Sequence, residues 1–323
     1  SEGNSSFNND EIKGQRYELE WNGKKRWSPA LDQTSYIHLQ GERVLFDYDN
    51  TFSQTSYKAS AEQLSLGGDW EYKFNRQWSL RPALRVDQFE ELQQAGYGIS
   101  TKYALTTEEH LQVGYLRGHQ FPSLSQLYDP ISGNVDLKPE SADRFELVFS
   151  KYEGSFYWEL GGFYSEFDQL IDFDLAEDFS YRSKNINSVN LSGMNVVIRN
   201  ESAYGETKLF IQRLWVTSNS SKVPLVYKPE WSTNLSADIN WNHRSTLHAG
   251  FSGLSDYWAI DGRERRQMSE VYLEGYTQWT YRWNSNLFLG LKLQNPLNQS
   301  KSFVPGYSRR SRRVSMNMML TGW

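Results

Sequence analysis

The sequence predicts an all-β fold, a transmembrane antiparallel β-barrel to which this chain contributes about 14–16 strands, and three observations carry that expectation. The first is a period of two: in Val271, Leu273, Gly275, Thr277, Trp279, Tyr281 and Trp283 every second residue is apolar, aromatic or small, while Tyr272, Glu274, Tyr276, Gln278, Thr280 and Arg282 between them are mostly polar. The second is length. That alternation holds for about thirteen residues, whereas soluble strands average about five or six and a tilted membrane strand needs about nine to eleven. The third is rhythm: short turns near Asn75, Thr107, Gly154, Gly205, His243 and Ser285 fall at every second connection, as barrels alternate short periplasmic turns with long external loops.

Composition agrees. The chain has 323 residues, 38% hydrophobic and 15% aromatic, with no cysteine and a net charge of -5. No apolar run reaches the length of a membrane helix, and no charged and apolar leader opens the chain. A mean hydropathy of -0.70 is compatible with a barrel, whose apolar band hides in alternate residues. An acidic balance without a basic stripe argues against nucleic acid as a partner.

In chain order, Ser1 to Asp10 reads as a loop or disordered start, being rich in Ser, Asn and Asp. Strands are expected at 16–23 and 36–48, then at 64–74, where Leu64, Leu66, Gly68, Trp70, Tyr72 and Phe74 alternate with Ser65, Gly67, Asp69, Glu71 and Lys73. The Asn75-Arg76 turn leads into 78–89, in which Leu80, Leu84 and Val86 oppose Arg81, Arg85 and Asp87. Pro82 inside that strand cannot donate to a ladder and predicts a local irregularity. Further strands are expected at 97–105, 111–121, 144–151, 156–173, 181–202, 207–218, 232–241, 246–258, 268–283, 287–293 and 312–323, about 15 in all. If Trp323 ends on the periplasmic side, an odd count leaves Ser1 in an external loop, so this chain is expected to be part of a larger barrel unless the count is off by one.

Residues 113–149, VGYLRGHQFPSLSQLYDPISGNVDLKPESADRFELVF, resemble the strand, loop and strand of TonB-dependent outer-membrane receptors. The likeness continues through Gly162-Phe163-Tyr164, through QLIDFD at 169–174, which looks most like the cobalamin-receptor branch, and through PLVYKP at 224–229. Departures are Gly193-Met194-Asn195 where the family has Gly-x-Glu, Asn295-Pro296-Leu297-Asn298, and a terminal Trp323 in place of Phe. The resemblance implies a 22-stranded barrel of which residues 1–323 are about the C-terminal two-thirds, with no plug domain in this stretch. It further implies localisation in the bacterial outer membrane, no enzyme activity, and uptake of a scarce nutrient such as cobalamin or an iron chelate. The alternative is a plugless receptor-derived barrel acting as a scaffold or passive pore in an envelope complex. A soluble β-rich binding protein would need shorter strands.

Candidate chemistry is sparse. The five histidines, His38, His110, His119, His243 and His248, lack the spacing of a helical metal site. Asp47 and Asp49 at a strand end, and Asp172 and Asp174 in the acidic group with Asp168, Glu177 and Asp178, are candidates for loop-bound calcium or for plain solvated loops. Arg81, Arg85, Glu274, Tyr276, Gln278 and Arg282 are expected to face the lumen, either touching a plug or satisfying one another. Arg309, Arg310, Arg312 and Arg313 could meet lipid phosphates. Expected partners are outer-membrane lipid and lipopolysaccharide, a plug-bearing chain or other envelope proteins, and a small-molecule substrate.

Overall fold

A computed structural model describes residues 10–28, 33–50, 55–130, 132–175, 181–186, 188–218, 225–261, 264–269, 271–299 and 311–320. Among the described residues the wall is one 15-stranded antiparallel sheet. Its strands are β1 (Asp10–Ser28), β2 (Gln33–Asn50), β3 (Thr55–Lys73), β4 (Trp78–Phe89), β5 (Leu92–Ala104), β6 (Glu109–Gln120), β7 (Glu140–Glu153), β8 (Phe156–Asp168), β11 (Val189–Ser202), β12 (Gly205–Ser218), β13 (Trp231–Asn242), β14 (Ser245–Ser255), β17 (Tyr272–Arg282), β18 (Leu287–Gln294) and β19 (Arg313–Leu320). Between β6 and β7 lies a short helix α1 (Leu124–Tyr128). Two hairpins interrupt the meander at its loop end, β9 (Leu170–Leu175) with β10 (Tyr181–Ile186), and β15 (Tyr257–Asp261) with β16 (Glu264–Met268). Among the described residues, no helix is long and apolar enough to cross a membrane.

Directly paired residues of an antiparallel sheet point to the same face, so the ladders can be followed strand by strand. Ser65 pairs with Asp87, Arg85 with Gly96, Gly114 with Glu146, Glu146 with Phe163, and Gly161 with Asn195. The series continues through Asn195 with Gln212, Glu206 with Asp238, Asp238 with His248, His248 with Gln278, and Gln278 with Lys292. This face is polar across the sheet. The opposite face carries Leu66, Leu84, Ile99, Val113, Leu147, Leu160, Ile198, Leu235, Trp279 and Leu291, all substantially exposed. Apolar side chains on an outer surface are what hydrocarbon requires. Among the described residues buried apolar side chains are correspondingly few, and Leu170, Val189 and Leu225 cluster at the base of the β9–β10 hairpin.

Several expected boundaries need correction. β1 and β3 each run 19 residues, far beyond the expected 16–23 and 64–74. At about 3.3 Å per residue they reach about 60 Å, twice a hydrocarbon core of about 30 Å. Thr55 to Glu62 lacks alternation in the sequence, yet its ladder with β2 runs on without a break. The connection expected over 90–96 is a two-residue turn at Glu90-Glu91, with Glu90 at φ 52°.

The long strands expected at 156–173, 181–202, 246–258 and 268–283 are each divided. Gln169 (φ 59°), Ser188 (φ 60°) and Asp256 (φ 53°) stand in the left-handed region, each where a wall strand meets an external hairpin. One such residue redirects the chain and ends the ladder. The irregularity expected at Pro82 is present: the β3–β4 ladder passes from Asp69↔Ala83 to Tyr72↔Leu80 and omits the pairs between them, while Pro82 still pairs with Ile99 in β5. The expected loop at Ser1 to Asp10 lies outside the described residues except for Asp10, which opens β1.

Candidate functional site

A cavity of about 930 Å³ lies on the polar face of β1–β6 beneath the β6–β7 connection. Its floor holds Asp69, Arg81, Arg85, Asp87 and Gly96; Phe89, His119, Phe121, Leu124 and Ser125 line its loop end. Arg81 Nε donates to Asp69 Oδ1 at 2.6 Å. Arg85 donates through Nε to Asp87 at 2.8 and 2.9 Å, and Ser65 Oγ donates to the same carboxylate. His119 Nε2 completes the group at 2.9 Å from Asp87 Oδ2. Carboxylate oxygens only accept, so that imidazole nitrogen carries the proton.

The Asp87 side chain is 3% exposed and that of His119 6%. A buried carboxylate is tolerated when paired and hydrogen-bonded, and here three side chains converge on it. His119 reaches β4 across the intervening β5, passing beside Gly96. A Cβ there would stand 3.1 Å from Arg117 O and 3.7 Å from His119 Nδ1. Above the cluster, Phe89 and Phe121 stack with centroids 5.2 Å apart, and Phe121 meets the His119 ring edge-on at 5.5 Å.

The upper boundary of the cavity is α1. Ser123 caps it with a capping box, accepting from Gln126 N while the Gln126 side chain accepts from Ser123 N. That reciprocal bond fixes where the chain turns into the helix, and Leu124 is buried behind it. The arrangement offers aromatic and aliphatic walls, neutralised guanidinium groups and exposed amides such as Gln120. It can enclose a bulky organic molecule.

The register places all six expected lumen residues on the polar face. Arg81 and Arg85 belong to the cavity just described. Glu274, Tyr276, Gln278 and Arg282 lie in β17 on the far part of the sheet, where Lys292 Nζ sits 5.4 Å from the Tyr276 ring centroid and Arg282 Nε donates to Asn284 O at 3.4 Å. Asp47 stands in register between Lys13 and Lys58, and Asp49 between Glu11 and Ser56; their side chains lie outside the described residues. In the β9–β10 hairpin, Asp172 lies opposite Lys184 and Asp174 opposite Arg182, a complementary cross-strand pattern. Among the described residues, no three His, Cys, Asp or Glu gather as a metal site would require. Glu177, Asp178, Arg309 and Arg310 lie outside the described residues. Ser65, Asp87 and His119 escaped sequence reasoning as a group. Their signal was only the position of Asp87 two residues after Arg85 on the same face.

Comparison with known proteins matches residues 2–295 to the family model described as TonB dependent receptor-like, beta-barrel. The vitamin B12 transporter BtuB of Vibrio cholerae serotype O1 is 31% identical over 141 residues, covering 43% of this chain and 21% of that protein. BtuB of Photobacterium profundum is 30% identical over 160 residues, covering 47% and 22%. The chain therefore corresponds to a minor part of these relatives' length. Among solved structures, the ferric enterobactin receptor PfeA of Pseudomonas aeruginosa superposes with a TM-score of 0.70 at 17% identity, over 96% of this chain and 54% of that one. A copper transporter, OprC, gives a TM-score of 0.72 at 11% identity, over 96% and 56%. At such identities these two report the fold alone.

Proposed function

Because this chain belongs to the TonB-dependent receptor β-barrel family, we propose that it forms the wall and external mouth of an uptake receptor whose substrate is a corrinoid or an iron chelate. Proteins of this family reside in the outer membrane, and the outward apolar face described above suits that location. The observation that carries the reading is the cavity of about 930 Å³ on the polar face, because apolar walls with a few convergent polar groups are what a scarce organic ligand requires. The kinship with the vitamin B12 transporters favours a corrinoid as the first substrate to test.

β1 and β19 stand at the two ends of the 15-stranded sheet. Backbone groups in hydrocarbon need partners on both sides, so further strands complete the wall, about seven if the barrel reaches 22. The proposed mechanism is capture at the external mouth followed by passage along the polar face, with a plug domain supplying the gate.

The test is binding of cyanocobalamin and of a ferric catecholate chelate to the natural full-length chain in detergent, followed by tryptophan fluorescence. Uptake of the labelled ligand is then measured in energised and de-energised cells. Saturable binding of either ligand with energy-dependent uptake is expected. Passage of both ligands without saturation would instead establish a passive pore.

A further inference from the structure

An amide side chain of the β9–β10 hairpin grips the β6–β7 connection that roofs the cavity. Asn185, in β10, holds the β6–β7 connection at Lys138: its Oδ1 accepts from Lys138 N at 2.8 Å and its Nδ2 donates to Lys138 O at 2.9 Å. The side chain thus takes both backbone groups of one residue, as a neighbouring strand would. The same Nδ2 donates to Gln169 O at 2.7 Å, the left-handed residue at which the hairpin leaves the wall.

A second bond series runs from Ser183 of the same hairpin to α1. Ser183 N donates to Ser132 O at 2.8 Å, and Asn134 Nδ2 donates to Ser183 O at 3.0 Å. Asn134 N in turn donates to Gln126 O at 2.8 Å, and Gln126 is the capping-box partner of Ser123. Hairpin, connection and cavity roof are therefore joined by directional bonds without a break.

We propose that Asn185 is a positioning residue for ligand binding: it holds the Phe121–Ser125 roof over the cavity by clamping Lys138, and it touches no ligand itself. The proposal rests on the uptake reading for its ligand and on geometry alone for its mechanics. A loop without this clamp samples other positions, and the apparent affinity falls by the fraction of time the roof is in place.

The test compares Asn185→Ala with the natural full-length chain in detergent, using heat-modifiable gel mobility to establish that the barrel has assembled. Backbone hydrogen exchange is read across Phe121–Lys138, and cyanocobalamin dissociation by tryptophan fluorescence. Exchange in that segment is expected to rise at least tenfold while wall strands stay protected, with dissociation faster by a similar factor. A disulfide joining Ser132→Cys to Ser183→Cys in the Asn185→Ala background should restore both values. Asn185→Asp, which keeps the acceptor and loses both donations, should fall between. Unchanged exchange overturns the proposal, and so does faster exchange without faster dissociation. A natural chain that binds no ligand defeats the uptake reading, and exchange alone then decides whether Asn185 holds the roof.

Discussion

The ring of Tyr276 lies on Gly250 across the β14–β17 ladder, so that a Cβ at Gly250 would stand 2.6 Å from Tyr276 Cε1. One register step away, on the opposite face, the roles reverse and Phe251 covers Gly275 at 2.6 Å from its Cδ1. Phe163 covers Gly193 in the same manner between β8 and β11. Glycine weakens a strand interior, and an aromatic laid over it from the neighbouring strand recovers contact and pins the register.

Gly250→Ala is therefore expected to destabilise the barrel toward the low end of about 1–3 kcal/mol, the range for inserting a methyl group into a packed site. The Tyr276 ring can swing into the lumen and so limits the loss. Urea unfolding in detergent micelles measures it. In the Gly250→Ala/Tyr276→Ala double variant the two effects should fail to add, because the ring is the neighbour that the methyl displaces; strict additivity would refute the contact.

Asp87→Ala removes the acceptor shared by Ser65, Arg85 and His119. Two of those groups are buried and lose their partner, an expected cost of about 1–3 kcal/mol. Arg85, whose side chain is 47% exposed, turns to water and adds little. Ser65→Ala deletes one donor and should cost about 1 kcal/mol. Equal urea midpoints for Asp87→Ala and the natural chain would remove the cluster from any structural account.

The two faces predict opposite responses to charge. Leu147→Arg places a cation on the apolar face, expected to cost about 2–4 kcal/mol near the bilayer centre and to reduce the heat-modifiable fraction in outer-membrane extracts. Gln278→Glu places an anion on the polar face opposite Lys292, and should assemble at the natural level. Assembly of Leu147→Arg as complete as that of Gln278→Glu would overturn the assignment of faces.

Much of the wall was legible beforehand because its signal is local. In β17 the alternation of Glu274, Tyr276 and Gln278 with Gly275, Thr277 and Trp279 needs only a period of two, and in the ladders the first three share one face of the sheet and the last three the other. Short turns at Asn75, Gly154 and Ser285 and the interruption at Pro82 were likewise readable, since turn chemistry and a missing amide proton belong to single residues. The hairpin exits were not. Gln169, Ser188 and Asp256 adopt positive φ without being glycine, and nothing in their neighbours announces it.

By itself, then, the sequence determined the all-β class, the apolar and polar faces, and kinship with a receptor family, because alternation and motif are properties of consecutive residues. Tertiary structure decided the rest. Asp87, Ser65 and His119 come from three strands: the β3–β4 register sets Ser65 beside Asp87, and His119 reaches them from β6 across β5. Asn185 and Lys138 are 47 positions apart, and only the folding back of β10 brings them together. Contacts of that separation depend on ladder register and on where single left-handed residues turn the chain, and neither is encoded within any one stretch of it.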